Sequence, residues 1–241
     1  MSTRADEIFE DLLCKILSDA YPAGKRLDSE RELAAHYETN RNTLREAIQQ
    51  LEHRRLVSVR HGQGVTVQDF RKTATMESLS AFLVHASHSE ELLLVVEDLL
   101  HARTQVLSLS LELAARRATP EDLAVIDALV ERQMVNFAAR NRNALATTDI
   151  EFIDALIDAA HSLTARWIAN TILDVYRAML SRSTALWVYD ATFPDYLQSL
   201  RVAIGSGDAT KAVAATRAYF KRVDGTLIEA LQALARVVDV P

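Results

Sequence analysis

Residues 28–51 read "DSERELAAHYETNRNTLREAIQQL", and they contain two helical patterns separated by a short polar turn. Ser29, followed three residues later by Glu32, forms a capping box, which predicts that the first helix begins here. The turn "ETN" ends at Asn40, which is a good N-cap for a second helix that we expect to run to about Arg54. Two helices joined by so short a turn are typical of a helix-turn-helix.

The sequence on either side of this motif extends the pattern. Residues 5–20 place apolar side chains at helical spacing, so a further helix is expected before it. Residues 56–70, "LVSVRHGQGVTVQDF", alternate valines with polar residues on both sides of a glycine-bearing turn, which predicts a β-hairpin. Helix, helix, turn, helix and hairpin is the order of a winged helix-turn-helix. We therefore predict such a domain, with a small β-hairpin wing, over residues 1–70.

Charge is distributed unevenly along the chain. The 241 residues carry a net charge of -6, yet residues 39–64 contain five arginines and two glutamates, a local charge of +3. Overall acidity disfavours indiscriminate binding to nucleic acid, so the basic window indicates a surface meant for a particular anion. Arg41 and Arg45 lie one helical turn apart in this window, and Glu46 is their acidic neighbour along the chain.

The start of the second helix is where a helix-turn-helix reads base edges in the major groove. Arginine can donate two hydrogen bonds to guanine, and a helix N-terminus attracts phosphate. The candidate DNA-binding residues lie at this helix start, on the preceding helix and near the hairpin tip: Arg41, Asn42, Thr43, Arg45, Arg31, Arg60, His61 and Gly62. The alternative is that the arginines form a solvated helix face with Glu46 and Glu52.

The stretch from Pro22 to Val67 resembles the DNA-binding domain of the GntR family of bacterial transcription regulators. The shared motifs are "PAG", "SERELA", "TLREA" and the two glycines of "GQG", together with the arginine that precedes "NTLREA". The chain departs from the family at Thr39 and Asn40, where members commonly carry valine and serine. The resemblance implies that six residues contact DNA: Arg31, Arg41, Thr43, Arg45, His61 and Gly62.

From residue 71 to residue 241 the pattern is helical throughout. Thr119 followed by Pro120 is a strong helix-start signal, because proline suits the first helical position. Helices this apolar must pack on one another, so we predict that residues 71–241 form an all-α bundle of six or seven helices. The chain is thus mainly α, and the polar segment 69–73, "DFRKT", is expected to be the linker between the two domains.

The second region is similar, more weakly, to the all-helical effector domain of the FadR branch of the GntR family. The segments "HARTQVLSLSLELAARRATPEDL" and "DIEFIDALIDAAHS" carry this similarity. It implies a homodimer that binds a palindromic operator in double-stranded DNA. It also implies that a small acid or acyl ligand, bound in the helical domain as effector, changes the affinity for that operator.

Arg103 and Asp149 lie on apolar helix faces, where an unpaired charge is costly. The partner of Arg103 is either a protein carboxylate or a ligand carboxylate. Asp149 either lines a ligand pocket or caps the N-terminus of its helix. Tyr176, Trp187 and Tyr219 either line the same pocket or belong to the core. The candidate ligand-binding residues are Arg103, Asp149, Tyr176 and Tyr219.

Many members of that branch hold a divalent metal with one aspartate and three histidines. Asp149 corresponds to the aspartate, but Ile153 stands where the first histidine belongs, and no histidine follows His161. Tyr219 stands in the helix of the third ligand. We therefore predict no such metal site and no cofactor, and we leave open whether the effector is an acyl-CoA or a small acid.

Together these patterns predict a ligand-controlled, DNA-binding transcription regulator. An enzyme would need a nucleophile–base pair, a metal set or a phosphate loop, and no glycine-rich phosphate loop, HExxH motif or Cys–His cluster occurs. A ligand-independent structural DNA-binding protein is a further alternative, although such proteins tend to be basic overall. The single cysteine, Cys14, and the lack of a long apolar run predict a cytoplasmic protein without a membrane span.

Overall fold

The computed structural model describes residues 3–60, 62, 64–85, 89–182, 188 and 190–238, with backbone alone at 89–90, 179–182 and 234–238. The chain divides into two compact units, Met1–Leu92 and Leu93–Pro241. They are named the N-terminal unit and the helical unit below.

The N-terminal unit has three helices, a two-stranded sheet and then two short helices. Its elements are α1 (Arg4–Leu17), α2 (Glu30–His36), α3 (Arg41–His53), β1 (Val57–Arg60), β2 (Gly64–Val67), α4 (Phe70–Thr73), a 3-10 turn (Met76–Ser78) and α5 (Leu79–His85). The buried core lies between α1 and α3 and consists of aliphatic side chains at helical spacing: Ile8, Leu12, Ile16, Leu44, Ile48 and Leu51. The predicted winged helix-turn-helix is confirmed.

The helix starts of this unit follow the local chemistry of the sequence. The Ser29 hydroxyl accepts from the backbone N–H of Glu32, and the Glu32 carboxylate accepts from the backbone N–H of Ser29, so the predicted capping box is present. Asn40 caps α3 through its Oδ1, which accepts from the backbone N–H groups of Asn42 and Thr43. The Asn40 cap thus ends the polar turn between α2 and α3.

The hairpin pairs its valines in register, with Val57 opposite Val67 and Val59 opposite Val65. Both valines of β2 are buried, whereas Val59 is 42% exposed. These four valines lie on the same face of the hairpin, and Val59, next to the tip, is the one of the four that is exposed. An additional bridge joins Arg26 to this sheet.

The segment 69–73, which we predicted to be a linker, contains a helical turn. Phe70–Thr73 forms the single helical turn α4, and the Phe70 side chain is buried. Its ring lies 5.8 Å from that of Phe82 on α5. One large apolar residue in an otherwise polar segment is enough to draw the segment onto the core of the unit.

The helical unit consists of long helices in the described part of the chain. They are α6 (Ser89–Arg117), α7 (Pro120–Ala138), α8 (Arg142–Asp158), α9 (Leu163–Arg182), α10 (Phe193–Gly205) and α11 (Ala209–Val238). The predicted start of α7 is confirmed, with Thr119 as N-cap and Pro120 in the first turn. One apolar cluster joins the helices, and its largest fully buried members include Leu111, Ile126, Leu145, Phe152 and Phe193. The predicted all-α region is confirmed.

The start of α8 corrects one interpretation of Asp149. The helix begins at Arg142, and Asn141 is its N-cap, with the Asn141 side chain accepting from the backbone N–H of Ala144. Asp149 therefore lies about two turns into the helix and does not cap it. Among the described residues, no helix is long and apolar enough to cross a membrane.

Candidate functional site

The first turn of α3 presents polar side chains to solvent. Arg41, Asn42 and Arg45 are exposed and Thr43 is half-buried, and this turn contains no acidic residue. Arg31 on α2 is exposed as well. The opposite face of α3 is fixed in the core by four buried side chains: Leu44, Ala47, Ile48 and Leu51. A helix anchored in the core thus holds arginines at its N-terminal end, an arrangement that suits phosphate binding and base reading.

Arg45 has an acidic partner that the sequence analysis did not foresee. Its Nε and Nη2 lie 2.9 Å from Oε2 of Glu30, the first residue of α2. The Arg45 side chain remains 58% exposed and that of Glu30 35% exposed. Exposed ion pairs contribute about 0–1 kcal/mol, so a DNA phosphate or a guanine can replace this carboxylate at little cost.

Glu52 contacts the β-hairpin and does not follow the alternative in which it pairs with the surface arginines. Its Oε1 accepts a hydrogen bond of 3.0 Å from the backbone N–H of Val59. The carboxylate thereby ties the end of α3 to strand β1 of the hairpin, so the helix and the hairpin are held together locally.

The hairpin tip combines a charged residue with glycines in the left-handed region. Arg60 is exposed at the end of β1 and pairs with Gly64, while Gly62 has φ +74° and Gly64 has φ +84°. A side chain at position 64 would also lie within 3.2 Å of the Arg26 guanidinium. The predicted DNA-binding residue His61 lies outside the described residues.

In the helical unit, a cavity of about 50 Å³ lies among five helices, α6, α8, α9, α10 and α11. Its apolar walls come mainly from leucine, isoleucine and phenylalanine side chains. Six polar or charged side chains face it: Arg103, Asp149, Tyr176, Tyr196, Tyr219 and Asp224. All four predicted ligand-binding residues are therefore brought together, whereas Trp187 lies outside the described residues.

Arg103 is paired with a protein carboxylate. Its Nη2 donates to Oδ1 of Asp224 at 2.7 Å, and the two side chains are only 12% and 16% exposed. The guanidinium also stacks on the ring of Phe220, 3.9 Å from its centroid. The buried Nε has no hydrogen-bond partner in the described part of the chain. Burial raises the pKa of the Asp224 carboxyl, and Arg103 opposes that rise.

The tyrosines make the rest of the polar lining. The Tyr176 hydroxyl donates to Oδ2 of Asp149 at 2.8 Å. Burial, followed by the charge of Asp149, raises the pKa of Tyr176 well above its ordinary value. The Tyr196 and Tyr219 rings are stacked, with centroids 4.2 Å apart, and burial raises the pKa of both hydroxyls. All three phenols are therefore protonated hydrogen-bond donors at neutral pH.

Sequence reasoning missed Asp224 and Tyr196. A signal for Asp224 was available, because it lies on the apolar stripe of α11, four residues after Phe220 and three before Leu227. The same rule that identified Arg103, a charge on an apolar stripe, would have found it. Tyr196 has no such signal, because an aromatic residue on an apolar stripe looks like core.

The residues around Asp149 do not fit the divalent metal that many members of the FadR branch hold in this domain. Ile153 lines the cavity with no donor atom. Tyr219 offers a phenol where the third ligand would stand, and burial raises its pKa, which disfavours the phenolate that a metal would require. Among the described residues, no three His, Cys, Asp or Glu side chains are grouped so as to hold a metal ion.

Comparison with known proteins accounts for both units. Residues 4–67 match the family model "Bacterial regulatory proteins, gntR family", and residues 98–222, more than half of the chain, match the FCD domain. The chain belongs to the GntR family, with an FCD domain after its DNA-binding domain. It is therefore a DNA-binding transcription regulator.

Individual relatives agree with this assignment. The chain is similar to the HTH-type transcriptional regulator Mce2R of Mycobacterium tuberculosis, with 30% identity over 226 residues, which cover 94% of this chain and 92% of that protein. It is also similar to the fatty acid metabolism regulator protein of Klebsiella pneumoniae, with 30% identity over 124 residues, 51% of this chain and 50% of that one. Both relatives are named as regulators, the first as a regulator of transcription.

A solved structure agrees with the fold. The structure of Lar, which controls the expression of the Listeria monocytogenes agr system, covers 95% of this chain and 98% of its own, with a TM-score of 0.58 and 16% identity. At that identity the likeness supports the fold alone.

Proposed function

We propose that this regulator binds a small carboxylate in the cavity around Arg103, and that the ligand controls the affinity of the N-terminal unit for its operator. The observation that carries the proposal is a buried arginine beside a cavity in the FCD domain. The guanidinium already has one anionic partner, Asp224, but its buried Nε still lacks a hydrogen-bond partner within the described residues, and a ligand carboxylate could provide one.

The size of the cavity favours a short carboxylate over a long acyl chain. A volume of about 50 Å³ holds roughly three to five waters. Phe220 and Leu227 contribute large apolar side chains to its wall, so an acyl chain would require them to move. Asp149, Tyr176 and Tyr219 would then orient the polar groups of the ligand.

For DNA binding, we assign base reading to the start of α3 and contacts with the DNA backbone to the residues around it. Arg41 and Arg45 would reach base edges or phosphates, and Arg60 and the hairpin glycines would approach the sugar-phosphate wall. The full proposed set is Arg31, Arg41, Asn42, Thr43, Arg45, Arg60, His61 and Gly62. We further propose a homodimer on a palindromic operator in the cytoplasm, with the DNA-binding domain at residues 1–70 and the effector domain at 71–241.

The test begins with DNA that the purified protein selects from a random-sequence pool. Fluorescence anisotropy then measures the affinity for this DNA with and without a panel of short carboxylates. We expect at least one of these carboxylates to change the affinity of the wild-type protein for the selected DNA. The variant Arg103→Gln should lose this change while still binding the DNA in the absence of ligand.

The alternative is a DNA-binding protein that no ligand controls. It would be favoured if no carboxylate or acyl-CoA changed the affinity for the selected DNA, or if Arg103→Gln responded as the wild type does. A protein without a sequence preference would also fail to enrich any DNA sequence from the pool.

A further inference from the structure

We propose that Asp224 is a built-in competitor of the effector: a ligand carboxylate replaces it at Arg103, and Asp224 takes up one proton from solvent as it leaves. This inference rests on the proposed function, because it describes how the same cavity accepts an anion. It makes effector binding dependent on pH.

The geometry of the ion pair supports replacement. A carboxylate that approaches the side of a guanidinium bridges Nε and Nη2 with its two oxygens. Asp224 uses only Nη2, at 2.7 Å, and leaves the buried Nε without a partner in the described chain. A ligand carboxylate that bridged both donors would satisfy Nε and would have to take the Nη2 position from Asp224.

The charge of the cavity requires a proton to accompany the ligand. Arg103 is the one cation among the described lining residues, and Asp149 and Asp224 are two carboxylates. An added anion would leave three negative groups around a single guanidinium in a mostly buried site, which is unfavourable. Protonation of one carboxylate restores the original balance, because the incoming negative charge is matched by one proton.

Asp224 is the carboxylate that becomes neutral. Burial already raises its pKa, and Arg103 is the group that opposes this rise. Once the ligand occupies Arg103, the burial effect is no longer opposed by a direct ion pair. Asp149, by contrast, keeps its hydrogen bond from Tyr176. The other titratable groups that face the cavity are Tyr196 and Tyr219, which stay protonated because burial raises the pKa of each.

Propionate tests the inference, with propionamide as its uncharged isostere. Three forms of the protein are compared: wild type, Asp224→Asn, and the double variant Arg103→Gln with Asp224→Asn. Glu151→Gln, which removes a charge from an exposed ion pair, is the control. Binding is followed as the rise in melting temperature at constant ionic strength. At pH 8 we expect Asp224→Asn to bind propionate at least tenfold more tightly than wild type does. Propionamide should not distinguish the two.

The pH dependence gives a second signature. Between the pKa of Asp224 in the ligand-free protein and its higher pKa in the liganded protein, the wild-type affinity for propionate should fall about tenfold per pH unit, since each ligand brings one proton. The affinity of Asp224→Asn should be nearly independent of pH while propionate stays ionised, and the double variant should not respond. Calorimetry on wild-type protein in two buffers of different ionisation enthalpy should show uptake of one proton per propionate, and this measurement needs no variant.

Equal affinities and equal pH profiles for wild type and Asp224→Asn would overturn the inference, and so would calorimetry without proton uptake. Either result would leave ligand control standing if Arg103→Gln still abolished the response of operator binding to a carboxylate. Absence of propionate binding in every form would also overturn the inference. Ligand control itself would then be decided by the operator measurements with the wider panel.

Discussion

Two arginines, Arg45 and Arg103, each pair with a carboxylate, but in opposite surroundings. Arg45 on α3 is 58% exposed and pairs with Glu30, whereas Arg103 on α6 is 12% exposed and pairs with Asp224. In water the first pair is weak and easily exchanged, while in the cavity the second pair is needed to keep two charges buried. Under the proposed function, the arginine whose partner can leave at low cost serves DNA recognition, and the arginine whose partner is enclosed serves ligand control.

The largest expected effect follows from breaking the buried pair. Arg103→Ala leaves Asp224 enclosed without its cation, so we expect a loss of about 3–5 kcal/mol in the free energy of unfolding. Urea unfolding followed by tryptophan fluorescence measures it, because Trp167 lies on α9 of the helical unit. Arg132→Ala is the control, since its pair with Glu151 is about half exposed and should contribute at most about 1 kcal/mol. Equal losses of unfolding free energy in Arg103→Ala and Arg132→Ala would contradict the expected difference between a buried and an exposed ion pair.

The second effect concerns the exposed arginine. Arg45→Ala should weaken binding to the selected operator by about 1–3 kcal/mol and relax the base preference at one position of each half-site. Because Arg45 lies outside the core, the melting temperature should change little. Fluorescence anisotropy with operator DNA and with one-base variants measures both quantities, and Arg132→Ala again serves as the control. If Arg45→Ala lost affinity equally on all sequences, Arg45 would be a phosphate contact and not a base reader.

The two arginines also differ in how far the sequence alone revealed their roles. The winged helix-turn-helix was predictable because its signals are local: the capping box at Ser29, the cap at Asn40 and the alternating valines of the hairpin. Arg103 was recognisable from its position on an apolar stripe. Its partner was not, because Asp224 lies 121 residues away along the chain and only tertiary packing joins them. The pair between Arg45 and Glu30 was missed for the same reason, since it crosses from one helix to the next.

A smaller effect is expected at a helix start in the helical unit. Thr119→Ala removes the hydroxyl that caps α7, so the free energy of unfolding should fall by about 0.5–2 kcal/mol. Asp122 completes this capping box, and the hydrogen bond from the Thr119 backbone, followed by that from His161, lowers its pKa below the ordinary value of 3.8.

The pH dependence of that cap has a definite sign. A carboxyl whose pKa is lowered in the folded protein contributes stability that is fully present above pH 3.8 and is lost as the pH falls through the folded pKa. Urea titrations at several acidic pH values should therefore show a steeper loss for wild type than for Asp122→Asn. Identical slopes would indicate that Asp122 titrates alike in the folded and unfolded chains.

The smallest expected effect concerns Glu30, which under the proposed function must release Arg45 when DNA binds. Glu30→Gln keeps the shape of the side chain and removes the charge that holds Arg45, so the wild-type cost of exchanging carboxylate for DNA disappears. Because the pair is exposed, that cost is about 0–1 kcal/mol, and operator affinity should rise by less than tenfold at low salt. The gain should shrink as salt screens the pair. A loss of affinity would instead mean that Glu30 positions Arg45 for its contact, and the exposed pair would then be part of the recognition surface.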